Sequence, residues 1–185
     1  MVTVSFLLTS SIILLTPGPT NTILAASGAA LGFRRALFLP LAEALGYAIA
    51  ISFFVALTSL TGGLPWALPI MKAIASLWLI LSAVRLWTEK VDMTAAPARG
   101  AFFRVLFTTL LNPKAMLVGT MLIPPSEAGG TAGWVGAFVT LSVIAGMGWV
   151  MLGSLLPRGV RRHAYKGAAV VLGGFSMVAA ASALA

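Results

Sequence analysis

Thr108-Thr109-Leu110-Leu111-Asn112-Pro113-Lys114-Ala115-Met116 places a proline and a lysine inside a segment otherwise apolar enough to cross a bilayer. Proline removes a backbone donor and clashes with the preceding turn, so it breaks a helix. A cation at membrane depth costs about 2.5–3.5 kcal/mol on insertion scales. A purely structural span has little use for both. A second broken stretch, Thr16-Pro17-Gly18-Pro19-Thr20-Asn21, lies in the first half of the chain. Two interrupted helices at corresponding places in two halves point to a transporter's substrate site.

The segments around these breaks read as membrane spans. Of 185 residues, 59% are hydrophobic and only 9% charged, where a soluble domain carries about 25% charged residues. Such a chain could not cover a surface facing water. Six apolar stretches have the length of about 20 residues that a bilayer needs: residues 4–26, 36–60, 66–87, 102–123, 134–156 and 167–184. The expected fold class is therefore all-α. It is a polytopic membrane protein with six transmembrane helices, the first and fourth broken at prolines. One transporter domain covers residues 1–185. Each half, about 1–92 and 100–185, opens with a broken helix followed by two unbroken spans. Three spans per half insert the second half upside down, giving two inverted three-helix repeats.

The charges set the expected orientation. The net charge is +8, but the basic residues cluster between spans rather than forming a nucleic-acid surface. Arg34 and Arg35 follow the first span. Arg85, Lys90, Arg99 and Arg104 surround the third loop, and Arg158, Arg161, Arg162 and Lys166 the fifth. The loops at 61–65 and 124–133 carry no Lys or Arg. The basic side should be cytoplasmic, with both termini outside. With no basic residue before the first apolar run, that segment is expected to be retained rather than cleaved. The chain has no cysteine and one histidine, His163, which argues against dithiol carriers and thiolate or imidazole metal sites. No metal and no cofactor is expected.

Few residues are left to carry chemistry. Pro17, Gly18, Pro19 and Pro113 free backbone carbonyls that suit a substrate ammonium, and half-helix amino ends suit a carboxylate. The plain alternative is a proline kink. Asn21 and Asn112 either cap exposed helix ends or bind substrate. Lys114 lies about 18 Å into its span at 1.5 Å per residue. It either binds a substrate carboxylate or holds the fold through Glu43. Glu43, the acid within a span, lies at a similar depth, with an axial offset from Lys114 of about 6 Å. Burial and a nearby lysine act on a carboxyl in opposite directions. Glu43 is thus a candidate for proton coupling, against a structural ion pair or a pore-lining role. Lys72, in the third span, either snorkels to the outer interface or serves a gate. Trp66, Trp87 and Trp134 read as interface anchors, Trp78 and Trp149 as packing. Gly46, Gly136, Gly146, Gly148, Gly153, Gly173 and Gly174 read as sites of close helix approach, which leaves room for a homodimer.

Pro17-Gly18-Pro19, Lys72, Arg85 and Leu111-Asn112-Pro113-Lys114-Ala115, followed by Pro124, resemble the LysE/RhtB family of amino-acid exporters. The resemblance runs over nearly the whole chain and includes the count of six spans. Glu43 departs from it, standing where the family is usually apolar. The resemblance implies export of amino acids or related metabolites from the cytoplasm across the bacterial inner membrane, driven by the proton gradient. The partners implied are an amino acid or derivative, the proton and the lipid bilayer, with no nucleic acid. A membrane-embedded enzyme lacks its acid–base or metal constellation here. A non-transporting membrane subunit is the other alternative.

Overall fold

The computed structural model describes residues 2–61, 67–88, 98–123, 131–157, 159 and 163–184. The expectations placed on Trp66, Pro124, the loops at 62–66 and 124–130, the linker at 89–97 and Arg158, Arg161 and Arg162 lie outside them. So do the side chains of Lys72, Arg85 and Arg99.

The described residues are helical, with no strand among them. Helix α1 (Val4–Leu15) starts where Thr3 Oγ1 accepts from Phe6 N, at 3.2 Å. It stops because Pro17 drives the residue before it out of helical geometry, and Thr16 is extended (φ −65°, ψ 128°). Pro19 opens α2 (Pro19–Leu31), using a ring that already holds a helical φ and a position whose N–H would have no partner. Gly32, at φ 80°, ends α2 in a conformation that an L side chain resists. The short α3 (Phe33–Ala36) then leads into α4 (Leu39–Thr61). Pro40 sits in the first turn of α4, where no intrahelical donor is missed.

The same local rules govern the second half. Helix α5 (Ala67–Thr88) is followed by α6 (Ala98–Leu110). Asn112 is extended before Pro113, and Pro113 opens α7 (Pro113–Leu117). The chain bends by 41° between 100–110 and 113–122. It then widens into a π-helical stretch, Val118–Leu122, closed by Ile123 N donating to Val118 O. Gly119 lets this stretch lie on α4, since a Cβ there would come within 2.6 Å of Phe54 Cβ. Helices α8 (Thr131–Ser154) and α9 (Ala164–Leu184) complete the order.

Helix α2 is central, packing on α6, α8 and α9, while α4 lies against α6, α7 and α8 and α9 runs along α5. One apolar core joins Ile23, Leu24, Leu79, Val105, Val150 and Leu172. The other joins Phe6, Leu14, Tyr47, Ile51, Trp134 and Phe138. Between α5 and α9, Ser76 Oγ donates to Ser176 O (2.9 Å) and Ser176 Oγ donates to Ser76 O (3.0 Å). These two bonds tie α5 to α9. The outer surface is apolar, with Leu8, Ile12, Phe53, Ile144 and Met177 exposed.

Residues 33–59 and α8 are each long and apolar enough to cross a membrane, and the bent pair 100–110 and 113–122 gives a third such span. These helices suit membrane association. The expected first span is two helices, and the second of them runs to Leu31 rather than residue 26. Trp134 corrects another expectation. It is 6% exposed and packs edge-on against Phe6, at 4.8 Å between ring centroids, rather than standing free as an interface anchor. Gly136, Gly148, Gly173 and Gly174 are corrections as well. Among the described residues, a Cβ at any of them would meet nothing within 4 Å, so they do not mediate close approach within the described fold. Gly46, Gly146 and Gly153 do face neighbours, as do Gly28 and Gly119.

Candidate functional site

The two proline breaks meet. The C-terminal end of α1 leaves carbonyls without intrahelical partners, as every helix end does, and three side chains converge on them. Asn21 Nδ2, in the first turn of α2, donates to Leu14 O (2.8 Å) and Thr16 O (2.9 Å), which uses both of its protons. Trp149 Nε1, from α8, also donates to Leu14 O, at 3.3 Å. From the second break, Lys114 Nζ donates to Ile13 O (2.8 Å) and Thr16 O (2.5 Å). The lysine thus tethers one interrupted segment to the other. It arrives through the space that Gly18 leaves, because a Cβ on Gly18 would lie 3.1 Å from both Lys114 Cε and Nζ.

A second tie lies alongside. Asn112 Oδ1 caps α7 by accepting from Lys114 N at 3.0 Å. Its Nδ2 donates to Thr20 Oγ1, also at 3.0 Å. Thr109 Oγ1 lies 3.3 Å from Thr20 Oγ1 and donates to Val105 O at 2.8 Å. Thr20, Thr109 and Asn112 are buried, so the polar cluster is internal to the helix junction. Pro17 and Pro113 lie on its exposed rim, while Pro19 is buried at the start of α2.

Glu43 does not join this cluster. No ion pair links it to Lys114, whose ammonium is held by the α1 carbonyls instead. Of the roles left open for Lys114, direct pairing with Glu43 is not made here; a lysine-to-backbone clamp is. Glu43 is 1% exposed, and its Oε2 has no hydrogen-bond partner. The carboxylate rests against Gly146 of α8, where an added Cβ would fall 2.5 Å from Oε2. Tyr47, one turn further along α4, stacks edge-on against Phe138 at 5.1 Å, and its hydroxyl is also unpartnered. An orphaned buried carboxylate is expensive.

The two asparagines and Lys114 are brought together, with Gly18 and the prolines framing them, and Glu43 faces α8 without touching them, though still within electrostatic reach of Lys114. Lys72 belongs to α5, but its gate or interface role rests on a side chain outside the described residues. Thr20, Thr109, Trp149 and Gly146 complete the site and are not evident as site residues from sequence. Trp149 carries a recognisable signal all the same, as an indole deep within a span needs an acceptor for its N–H. Gly146 belongs to the buried stripe Phe138, Ser142, Gly146, Val150 and Gly153 on α8, whose steps of three and four residues mark one helix face. Comparison with protein-family models, with curated proteins and with solved structures gives no significant match to this chain.

Proposed function

We propose that this chain is a secondary transporter of the LysE/RhtB type, exporting an amino acid or a related zwitterion from the cytoplasm through the junction of the two breaks. The observation that carries this reading is the clamp of the Lys114 ammonium on the Ile13 and Thr16 carbonyls. A primary ammonium is already held there, so those acceptors suit a substrate ammonium. An incoming zwitterion takes the carbonyls, Lys114 swings free, and its charge then holds the substrate carboxylate. In this reading the lysine is a place-holder that keeps the empty site from exposing unpaired groups to lipid.

The wider architecture proposed is six spans in two inverted repeats with both termini outside, in a bacterial inner membrane. The basic loops support that orientation, and the matched Thr16–Pro19 and Asn112–Pro113 breaks support the repeat. Glu43, unpartnered against Gly146, is the group proposed to take up and release the coupling proton as the helices rock.

One observation favours a second reading. Every described polar contact at the junction is internal: Asn21 and Lys114 cap α1, and Asn112 caps α7. A purely structural pin in a non-transporting subunit would look the same. Purified protein in liposomes separates the two. Counterflow of labelled amino acids, with and without a pH gradient, should be saturable, and Lys114→Met should abolish it without lowering the amount of protein inserted. Unchanged counterflow in that variant, or none in the native protein for any amino acid, overturns the transport reading.

A further inference from the structure

A cleft separate from the junction lies between α8 and α9. Both helices pack on α2 and have little contact with each other, so α2 forms the floor. Its volume is about 560 Å³, within the range of about 300–1,000 Å³ found for small-molecule sites. Ala25 and Ala26 keep the floor low, and Trp149 forms one wall. The lining is apolar apart from Thr22 and one end, where His163 and Lys166 sit. Among the described residues, no acidic one lines it. Lys166 Nζ lies 5.8 Å from the centre of the Trp87 ring, an arrangement suited to a cation at a membrane interface. On the rim, Val170 and Trp87 are largely exposed, so the cleft opens sideways as well as at its charged end.

We propose that this cleft binds one anionic phospholipid, with an acyl chain along the α2 floor and the phosphate on Lys166 and His163. A soluble ligand has no need of a sideways opening, whereas a lipid enters through one without leaving the bilayer. The charge complementarity is one-ended, as an amphiphile requires. The charged end is also the basic side, where anionic lipids concentrate if that side is cytoplasmic. The inference rests on the membrane location of the chain and not on transport. The bound chain lies against Trp149, whose N–H holds Leu14 O at the junction.

Tryptophan quenching by lipids with brominated chains tests this in detergent micelles. The signal lost between the native protein and Trp149→Phe reports on the cleft wall. Brominated phosphatidylglycerol should quench it at about fivefold lower mole fraction than brominated phosphatidylcholine, the effect expected of one interfacial lysine on an anionic headgroup. The Lys166→Gln, His163→Gln double variant should abolish that preference, and Lys166→Arg should retain it. These two variants are also read on total tryptophan fluorescence, so the test survives if Trp149→Phe does not fold. Equal quenching by both headgroups in the native protein, or a preference that persists in the double variant, overturns the assignment. Relief of quenching by excess free amino acid would make the cleft a solute entrance and overturn it too.

Discussion

Lys114→Met and Asn21→Ala each remove two hydrogen bonds from the same helix end, yet they should not cost the same. The reason is the sharing of acceptors. Leu14 O receives both Asn21 and Trp149, and Thr16 O receives both Asn21 and Lys114. Ile13 O receives Lys114 as its described side-chain donor. Asn21→Ala therefore leaves each acceptor with another donor. In lipid, interhelical hydrogen bonds contribute about 0.6 kcal/mol on average and up to about 1.7, so that variant should lose about 1 kcal/mol. Lys114→Met removes two charge-assisted bonds, the stronger kind. It also strips Ile13 O of its side-chain donor, which adds about 1–3 kcal/mol where the acceptor stays dry. Methionine keeps most of the stem volume, so packing changes little. The expected loss is about 2–4 kcal/mol. Reversible unfolding of purified protein in mixed micelles of increasing SDS fraction, followed by tryptophan fluorescence, measures both. An Asn21→Ala loss equal to or larger than that of Lys114→Met would refute the sharing argument, and with it the picture of the lysine as the tie between breaks.

Four further perturbations follow from the glycines. Gly28→Ala and Gly153→Ala should each destabilise by about 3 kcal/mol or more, because their Cβ atoms would fall 2.1 Å from Val150 O and 1.8 Å from Ala25 O, both rigid backbone. Gly136→Ala and Gly148→Ala, which face open space, should be neutral or gain up to about 1 kcal/mol from helix propensity in the same unfolding assay. Gly146→Ala should cost about 1–3 kcal/mol by crowding the Glu43 carboxylate, and less in a Glu43→Ala background. A double-mutant cycle showing no coupling would remove the contact. Gly18→Ala should leave stability nearly unchanged, since its neighbour is the flexible end of Lys114. The ammonium then shifts by only a few tenths of an ångström and keeps its carbonyls; if the chain is the proposed carrier, that shift should still raise the substrate concentration needed for half-maximal counterflow.

The breaks were legible because proline acts locally. Its effect on Thr16 and Asn112 needs nothing beyond the chain within two residues, and both are extended as that rule requires. The meeting of the breaks was legible only as a proposal from symmetry. The groups that realise it lie far apart in sequence: Lys114 and Ile13, Thr20 and Asn112, Trp149 and Leu14. Nothing in periodicity selects which carbonyl a given donor reaches.

Glu43 shows why depth arithmetic stops short. Residue counting places Glu43 and Lys114 at similar heights, but a contact between two helices also needs both side chains turned toward one another. Each residue along a helix rotates the direction by about 100°, so an uncertainty of one or two residues in a span boundary leaves the azimuth undetermined. In the fold, α4 presents Glu43 to α8, and Lys114 turns toward α1. The pairing that sequence suggests is thus divided into two half-satisfied arrangements. One is a lysine held by neutral carbonyls, the other a carboxylate facing a glycine. Each group is close to a state it does not occupy. A rotation that released Lys114 from Ile13 and Thr16 would leave the cation seeking an anion at the height where Glu43 waits unpartnered. If the chain exports a zwitterion as proposed, a substrate carboxylate and Glu43 would compete for one ammonium. That competition would let an empty carrier and a loaded carrier prefer different packings of the same helices, as alternating access requires.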